Sequence, residues 1–144
     1  MQVQEIMTKK VSTVSSKDSI QKAAKIMQDI DCGSTPVVEG SKVTGMVTDR
    51  DITLKAVAQG KGPDTAIQDV MVKKVITCNP DTDAREAANL MAKHQVRRLP
   101  VVEQEKLVGI LAIGDLARVH IFVSESGHAL SEISEPSQRP NAVQ

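Results

Sequence analysis

The sequence predicts an α+β protein. It reads as two tandem copies of a β-α-β-β-α unit, related by a pseudo-twofold axis, with small sheets packed against helices. Three observations carry this expectation. Shifted by 64 positions, the chain matches itself without a gap, with 15 identities over the 47 positions from 7 to 53. Unrelated sequence would give about three. Each copy holds one stretch with apolar residues at helical spacing, followed by two short continuous β-branched runs of the kind that form strands buried on both faces.

The copies align element by element. Met7 falls on Met71, Lys9-Lys10-Val11 on Lys73-Lys74-Val75, Met27 on Met91, and Pro36-Val37-Val38-Glu39 on Pro100-Val101-Val102-Glu103. A short extended piece over 11–14 opens the unit. A helix follows, with Ile20, Ala23, Ala24, Met27 and Ile30 on one side and Ser19 as its cap. Its counterpart starts at Asp83, where Glu86 three residues on predicts a capping box. Gly33 is placed to end the first helix in the left-handed conformation. Strands are predicted over 35–38 and 43–47, joined at Glu39-Gly40-Ser41, and over 99–102 and 107–111. Second helices cover 49–58 and 115–123, and 59–64 is the linker. The predicted divisions are repeat 1 at 1–64, repeat 2 at 65–123, and a polar tail at 124–144, mobile or loosely docked. About 60 residues alone bury little surface, so two units sharing a core are the stable arrangement.

Composition narrows the function classes. Eighteen Lys and Arg balance 18 Asp and Glu among 144 residues, and Phe122 is the single aromatic of the Phe/Trp/Tyr type. Neither a polyanion-attracting field nor stacking platforms are present, so no nucleic-acid partner is expected. No apolar run approaches the roughly 18 residues of a membrane span, and the start lacks a signal peptide's pattern. Cys32 and Cys78 form no CxxC pair, and three histidines complete no zinc pattern. A reduced cytoplasmic protein with no metal is expected. No nucleophile–base pair, Walker loop or Gly-x-Gly-x-x-Gly suggests an enzyme.

Two in-register copies carrying Pro36-Val37-Val38, Gly45-Met46-Val47-Thr48-Asp49-Arg50-Asp51, Val96-Arg97-Arg98-Leu99-Pro100-Val101-Val102 and Gly109-Ile110-Leu111 with Asp115 resemble the CBS-domain family. Tandem pairs of that family form a Bateman module. The resemblance covers about residues 3–122 and is greatest to small stand-alone bacterial proteins made of one pair. It implies a regulatory module that binds an adenosine-containing ligand (AMP, ADP, ATP or S-adenosylmethionine) between the repeats and passes its state to a protein partner. It implies no catalytic cofactor. It also implies a homodimer formed through helices, for which the small residues Ala23, Ala24, Ala87 and Ala88 allow close approach. The alternative is a structural or protein-interaction dimer with non-functional clefts.

By this resemblance Thr48 and Asp51 hold the ribose, as a carboxylate that accepts hydroxyl protons can. The same Thr-x-x-acid spacing is also a helix capping box, and the two roles can coexist. The second copy has Ala112 at the place of Thr48 and keeps Asp115, which makes a weaker second cleft. Arg97 and Arg98 stand where the first copy has Gly33-Ser34. They are expected to meet phosphates through bidentate guanidinium forks. The plain alternative is a solvated pair, or salt bridges to Asp29 or Glu103. Val11, Ser12 and Thr13, with Ile110, border the adenine by resemblance, while Val11 and Ile110 also read as ordinary core residues. By the same resemblance, Thr48 and Asp51 with Arg97 and Arg98 are expected to make one complete site per chain.

Overall fold

In the computed structural model, which describes residues 1–119 and 123–136, the compact units are offset from the sequence repeats. One unit is Ser12–Val75; the other joins Met1–Val11 to the chain from Ile76 onward.

In the 12–75 unit, α1 (Ile20–Ile30) starts where the Ser19 hydroxyl accepts the Lys22 N–H at 3.2 Å. Ile20, Ala23 and Met27, at helical spacing, are its buried residues. The helix ends at Asp31, whose φ of 52° is left-handed, and the Cys32 N–H closes on the Met27 carbonyl at 3.0 Å. Asp31 therefore takes the terminating role expected of Gly33. Gly33 lies against the exposed Asp49 side chain: a Cβ there would lie 2.9 Å from Asp49 Oδ2, which would have to turn aside. Strands β1 (Ser34–Glu39) and β2 (Lys42–Thr48) pair antiparallel, with a bulge between Val37 and Val38. Val14 adds a parallel bridge to Val37. Helix α2 (Asp49–Lys55) follows β2 directly. The chain then folds back, and Val72 bridges Met46.

The other unit repeats this plan with α3 (Ala84–His94), β3 (Arg98–Glu103), β4 (Lys106–Ala112) and α4 (Ile113–Arg118). Its hairpin has the same register and the same bulge, here between Val101 and Val102. The chain's first residues complete it. The Val3 N–H donates to the Thr82 carbonyl, the Ala84 N–H to the Met1 carbonyl, and Thr8 bridges Ile110. With that segment against the start of α3, the Asp83–Glu86 capping box does not form. Asp83 instead accepts the Arg85 N–H at 2.8 Å.

Both close approaches fall on glycine. A Cβ on Gly45 would lie 2.7 Å from Met71 Sδ and 2.9 Å from the Val72 carbonyl. One on Gly109 would lie 2.6 Å from Met7 Sδ and 2.9 Å from the Thr8 carbonyl. Val3 and Ile67, the anchors of the two crossing segments, are fully buried.

Two expectations need correction. The alanine stripe is not a free surface: Ala23, Ala87 and Ala88 are core residues, and only Ala24 is exposed. The expected loose tail begins with a docked helix, α5 (Val123–Ser134), packed on α3 and α4. Ser126 and Ala129 are buried and Ile133 is half-buried, a three- and four-residue spacing that puts one stripe against the core. The polar composition of this segment hides that stripe. The remainder of the tail, 137–144, lies outside the described residues, as does Phe122.

Deleting residues 1–11 is expected to raise amide exchange across 76–119 while leaving 12–75 protected. Equal loss in both halves, or none, contradicts the unit assignment.

Candidate functional site

Thr48 and Asp51 come together at the junction of β2 and α2. The Thr48 hydroxyl accepts the Asp51 N–H at 3.0 Å, and Asp51 Oδ2 accepts the Thr48 N–H at 3.0 Å. This is a complete capping box, with both residues buried at 3% and 4% exposure. Asp51 Oδ1 also meets Lys55 Nζ at 3.1 Å, and the same ammonium donates to the Val70 carbonyl at 3.2 Å. An ionised carboxylate has about four acceptor positions, so two remain for a ligand's hydroxyls. The Thr48 hydroxyl proton is likewise uncommitted by the cap, since the oxygen there acts as acceptor.

The second copy keeps half of this device. Asp115 Oδ2 accepts the Ala112 N–H at 2.8 Å, but the Ala112 methyl returns nothing to the N–H of residue 115. Arg118 Nη1 lies 3.5 Å from Asp115 Oδ1. Asp115 is half-buried, where Asp51 is buried.

Arg97 and Arg98 are fixed at the backbone and open at the side chain. The Arg97 carbonyl accepts the Ile113 N–H at 2.9 Å, which ties this residue to the start of α4. Arg98 opens β3 opposite Ala112. Arg97 is exposed and Arg98 half-buried, and among the described residues neither has an ion-pair partner. The expected alternative bridges to Asp29 and Glu103 are not formed.

The proposed adenine border is divided by unit. Val11 and Ile110 are half-buried in the unit that holds the arginines; Ser12 is exposed and Thr13 half-buried in the unit that holds Asp51. Thr13 precedes a well-anchored turn. Val14 exchanges backbone bonds with Pro36 and Val38, and the Ser15 N–H donates to Asp18 Oδ2 at 2.8 Å. That bond, with Lys22, holds the Asp18 carboxyl below its ordinary value. Hydrogen bonds from the Ser16 hydroxyl and N–H do the same for Glu39.

Two surface hollows lie elsewhere. One of about 420 Å³ is lined by α1 and α2 residues including Gln28, Asp31, Cys32, Gly33, Asp49 and Thr53. The other, about 340 Å³, is lined by residues including Gln4, Asp81 and Glu103. None of the predicted binding residues lines either. Among the described residues no cluster of His, Cys, Asp or Glu is suited to a metal, and no helix is long and apolar enough to cross a membrane. Burial, with a smaller contribution from Glu86, pushes the Cys78 thiol up to about 11, so little thiolate exists at neutral pH.

Sequence reasoning missed Lys55 and Gln95. Lys55 is four residues beyond Asp51 on one helix face, a readable signal. Gln95, the left-handed C-cap of α3, donates its side-chain amide to the carbonyls of Glu132 and Glu135. Such a long-range contact has no local signature.

Comparison with known proteins gives a consistent result. A family model for the CBS domain matches residues 3–57 and 67–121. The chain is 45% identical over 132 residues to the CBS domain-containing protein YhcV of Bacillus subtilis strain 168, covering 92% of this chain and 94% of that one. It is similar to the CBS domain pair of protein MJ0100, solved in complex with 5'-methylthioadenosine and S-adenosyl-L-methionine: TM-score 0.76, 31% identity, 87% of this chain and 98% of that one. It is also similar to the hexameric CBS-CP12 protein from bloom-forming cyanobacteria: TM-score 0.75, 31% identity, 85% and 70% of the two chains.

The asymmetric caps have opposite expected responses. Thr48→Ala should cost about 1 kcal/mol, and Ala112→Thr should add a similar amount by completing the second box. Urea unfolding midpoints check both; shifts of the same sign would contradict the capping geometry. In the folded protein, iodoacetamide should label half-buried Cys32 and spare Cys78. Equal labelling of both would contradict the burial.

Proposed function

The chain belongs to the CBS-domain family, and on that premise we propose that it is a regulatory module that binds an adenosine-containing ligand and passes its state to a protein partner. The carrying observation is the complementary asymmetry of the two repeats. Thr48 and Asp51 stand in one, with acceptor positions to spare, and Arg97 and Arg98, without ion-pair partners among the described residues, stand in the other. Ribose hydroxyls suit the first pair, and phosphates or a carboxylate suit the guanidinium forks of the second. Val11, Ser12, Thr13 and Ile110 supply the adenine border in this reading, and Asp115 a weaker second position. The MJ0100 pair, solved with two adenosine compounds, supports the ligand class.

The proposed chemistry is recognition without reaction. A carboxylate and two guanidiniums orient a ligand whose bonds stay intact. The module acts by having different affinities for the ligand in two states of itself. A homodimer belongs to the same proposal, supported by the exposed apolar residues Ile30, Leu54 and Val57; operation in the cytoplasm is proposed with it. A second reading, a structural or interaction dimer with idle clefts, is favoured by one observation: Thr48 and Asp51 are buried and already satisfy one another.

A thermal-shift screen separates the two readings. A ligand that binds only the folded state at 100 times its Kd adds about 2.7 kcal/mol of stability. At least one of AMP, ADP, ATP and S-adenosylmethionine should raise the wild-type midpoint, and Asp51→Ala or Arg97→Ala should reduce that shift. No shift with any of them supports the idle-cleft reading. A shift that Asp51→Ala leaves intact removes the proposed ribose contact.

A further inference from the structure

We propose that α5 is the element that reports occupancy of the arginine-bearing segment 95–98, a reading that rests on the nucleotide site proposed above. Gln95 hydrogen-bonds the C-terminal end of α5. The Gln95 amide donates to the Glu132 carbonyl at 3.1 Å and to the Glu135 carbonyl at 3.3 Å, and the Glu132 carbonyl also accepts the Glu135 N–H at 3.3 Å. Gln95 is itself fixed: its φ is 54°, and its N–H bonds back to carbonyls of α3. It leads through buried Val96 directly into Arg97 and Arg98. The Arg97 carbonyl in turn accepts the first N–H of α4, and α5 rests on α4 as well as α3. The arginine segment is thus joined to α5 by two routes, the Gln95 side chain and α4.

The repeat shows that this contact is built into the sequence. In the 12–75 unit the equivalent positions are Gln28, Asp31, Asp49 and Thr53, and they line an open hollow. In the unit that carries α5 they are Ala92, Gln95, Ile113 and Ala117. Three polar side chains have become apolar; Ala92 is buried and Ile113 half-buried, while Ala117 is exposed. The one amide that remains is aimed at the end of α5. Asp31, in place of Gln95, would turn a carboxylate toward carbonyls and donate nothing.

The composition of α5 makes its docking easy to shift. It contains Gly127 and four serines, and the buried Ser126 hydroxyl has no hydrogen-bond partner among the described residues. Leu130 remains largely exposed. A helix of this length and composition is not stable without its dock. Release of α5 is therefore coupled to its unfolding. A ligand that engages Arg97 and Arg98 in the positions they hold while Gln95 and α4 contact α5 stabilises that state relative to the released one. Occupancy then favours the docked state.

The test is hydrogen exchange on the full chain, run beside calorimetry with AMP, ATP and S-adenosylmethionine as probes. Any probe that gives binding heat should slow exchange in 124–134 by about threefold or more. The second arm uses Gln95→Gly, which suits the left-handed backbone and removes the amide. Without any probe it should speed α5 exchange about tenfold. It should still bind the probe by calorimetry, and α5 should no longer respond. Binding heat with α5 exchange unchanged or faster overturns the coupling and leaves the site reading standing. No heat from any probe overturns the site reading and the coupling together. Wild-type α5 protection in Gln95→Gly overturns the anchoring whether or not a ligand exists.

Discussion

Two methionine-bearing segments lie across two bare glycines, and the rest of the structure depends on those contacts. Met71 and Val72 cross Gly45, and Met7 and Thr8 cross Gly109, at distances that leave no room for a side chain. The crossings seat Ile67 and Val3 in the two cores. They also determine which residues form a unit. The chain's first eleven residues belong with the second repeat, and the lead-in to the second repeat closes the first unit. Each unit carries its own crossing segment, its own hairpin and its own pair of helices. Thr48 and Asp51 lie where the first hairpin passes into α2, and Arg97 and Arg98 where α3 passes into the second hairpin.

Local rules served well where the physics is local. Ser19 as a cap, the core stripe of Ile20, Ala23 and Met27, and the Thr48–Asp51 box all follow from spacing within one turn of helix. The hairpins follow from β-branched runs repeated in register. Misreadings arose where a distant segment intervened. Asp83 and Glu86 have the spacing of a capping box, yet the N-terminal segment bonds to the backbone beside them. Gly33 reads as a helix terminator because glycine tolerates left-handed backbone, but Asp31 adopts that conformation and Gly33 lies against the Asp49 side chain. Residues 124–134 read as tail because serine, glycine and glutamate dominate. Their stripe of Ser126, Ala129 and Ile133 suffices only because α3 and α4 offer a matching face.

For the site, the repeat comparison was the informative signal. It located the residues that differ between copies: Thr48 against Ala112, and Gly33-Ser34 against Arg97-Arg98. The structure adds what spacing could not supply. The Thr48–Asp51 pair is buried and linked to Lys55, while the arginines are held by their backbone with their side chains left open. One pair is rigid and the other adaptable, a division suited to a module that must hold a ligand and also respond to it. The same inequality continues into α5, which covers one helix pair and leaves the other uncovered.

The most direct test of the regulatory reading is a residue-resolved amide chemical-shift titration of the full chain with AMP, ATP and S-adenosylmethionine. The account predicts that one of them moves resonances at Thr48–Asp51 and at Arg97–Arg98 together, saturating along a single curve. Shifts at only one of these places, or none with any of the three, would contradict it.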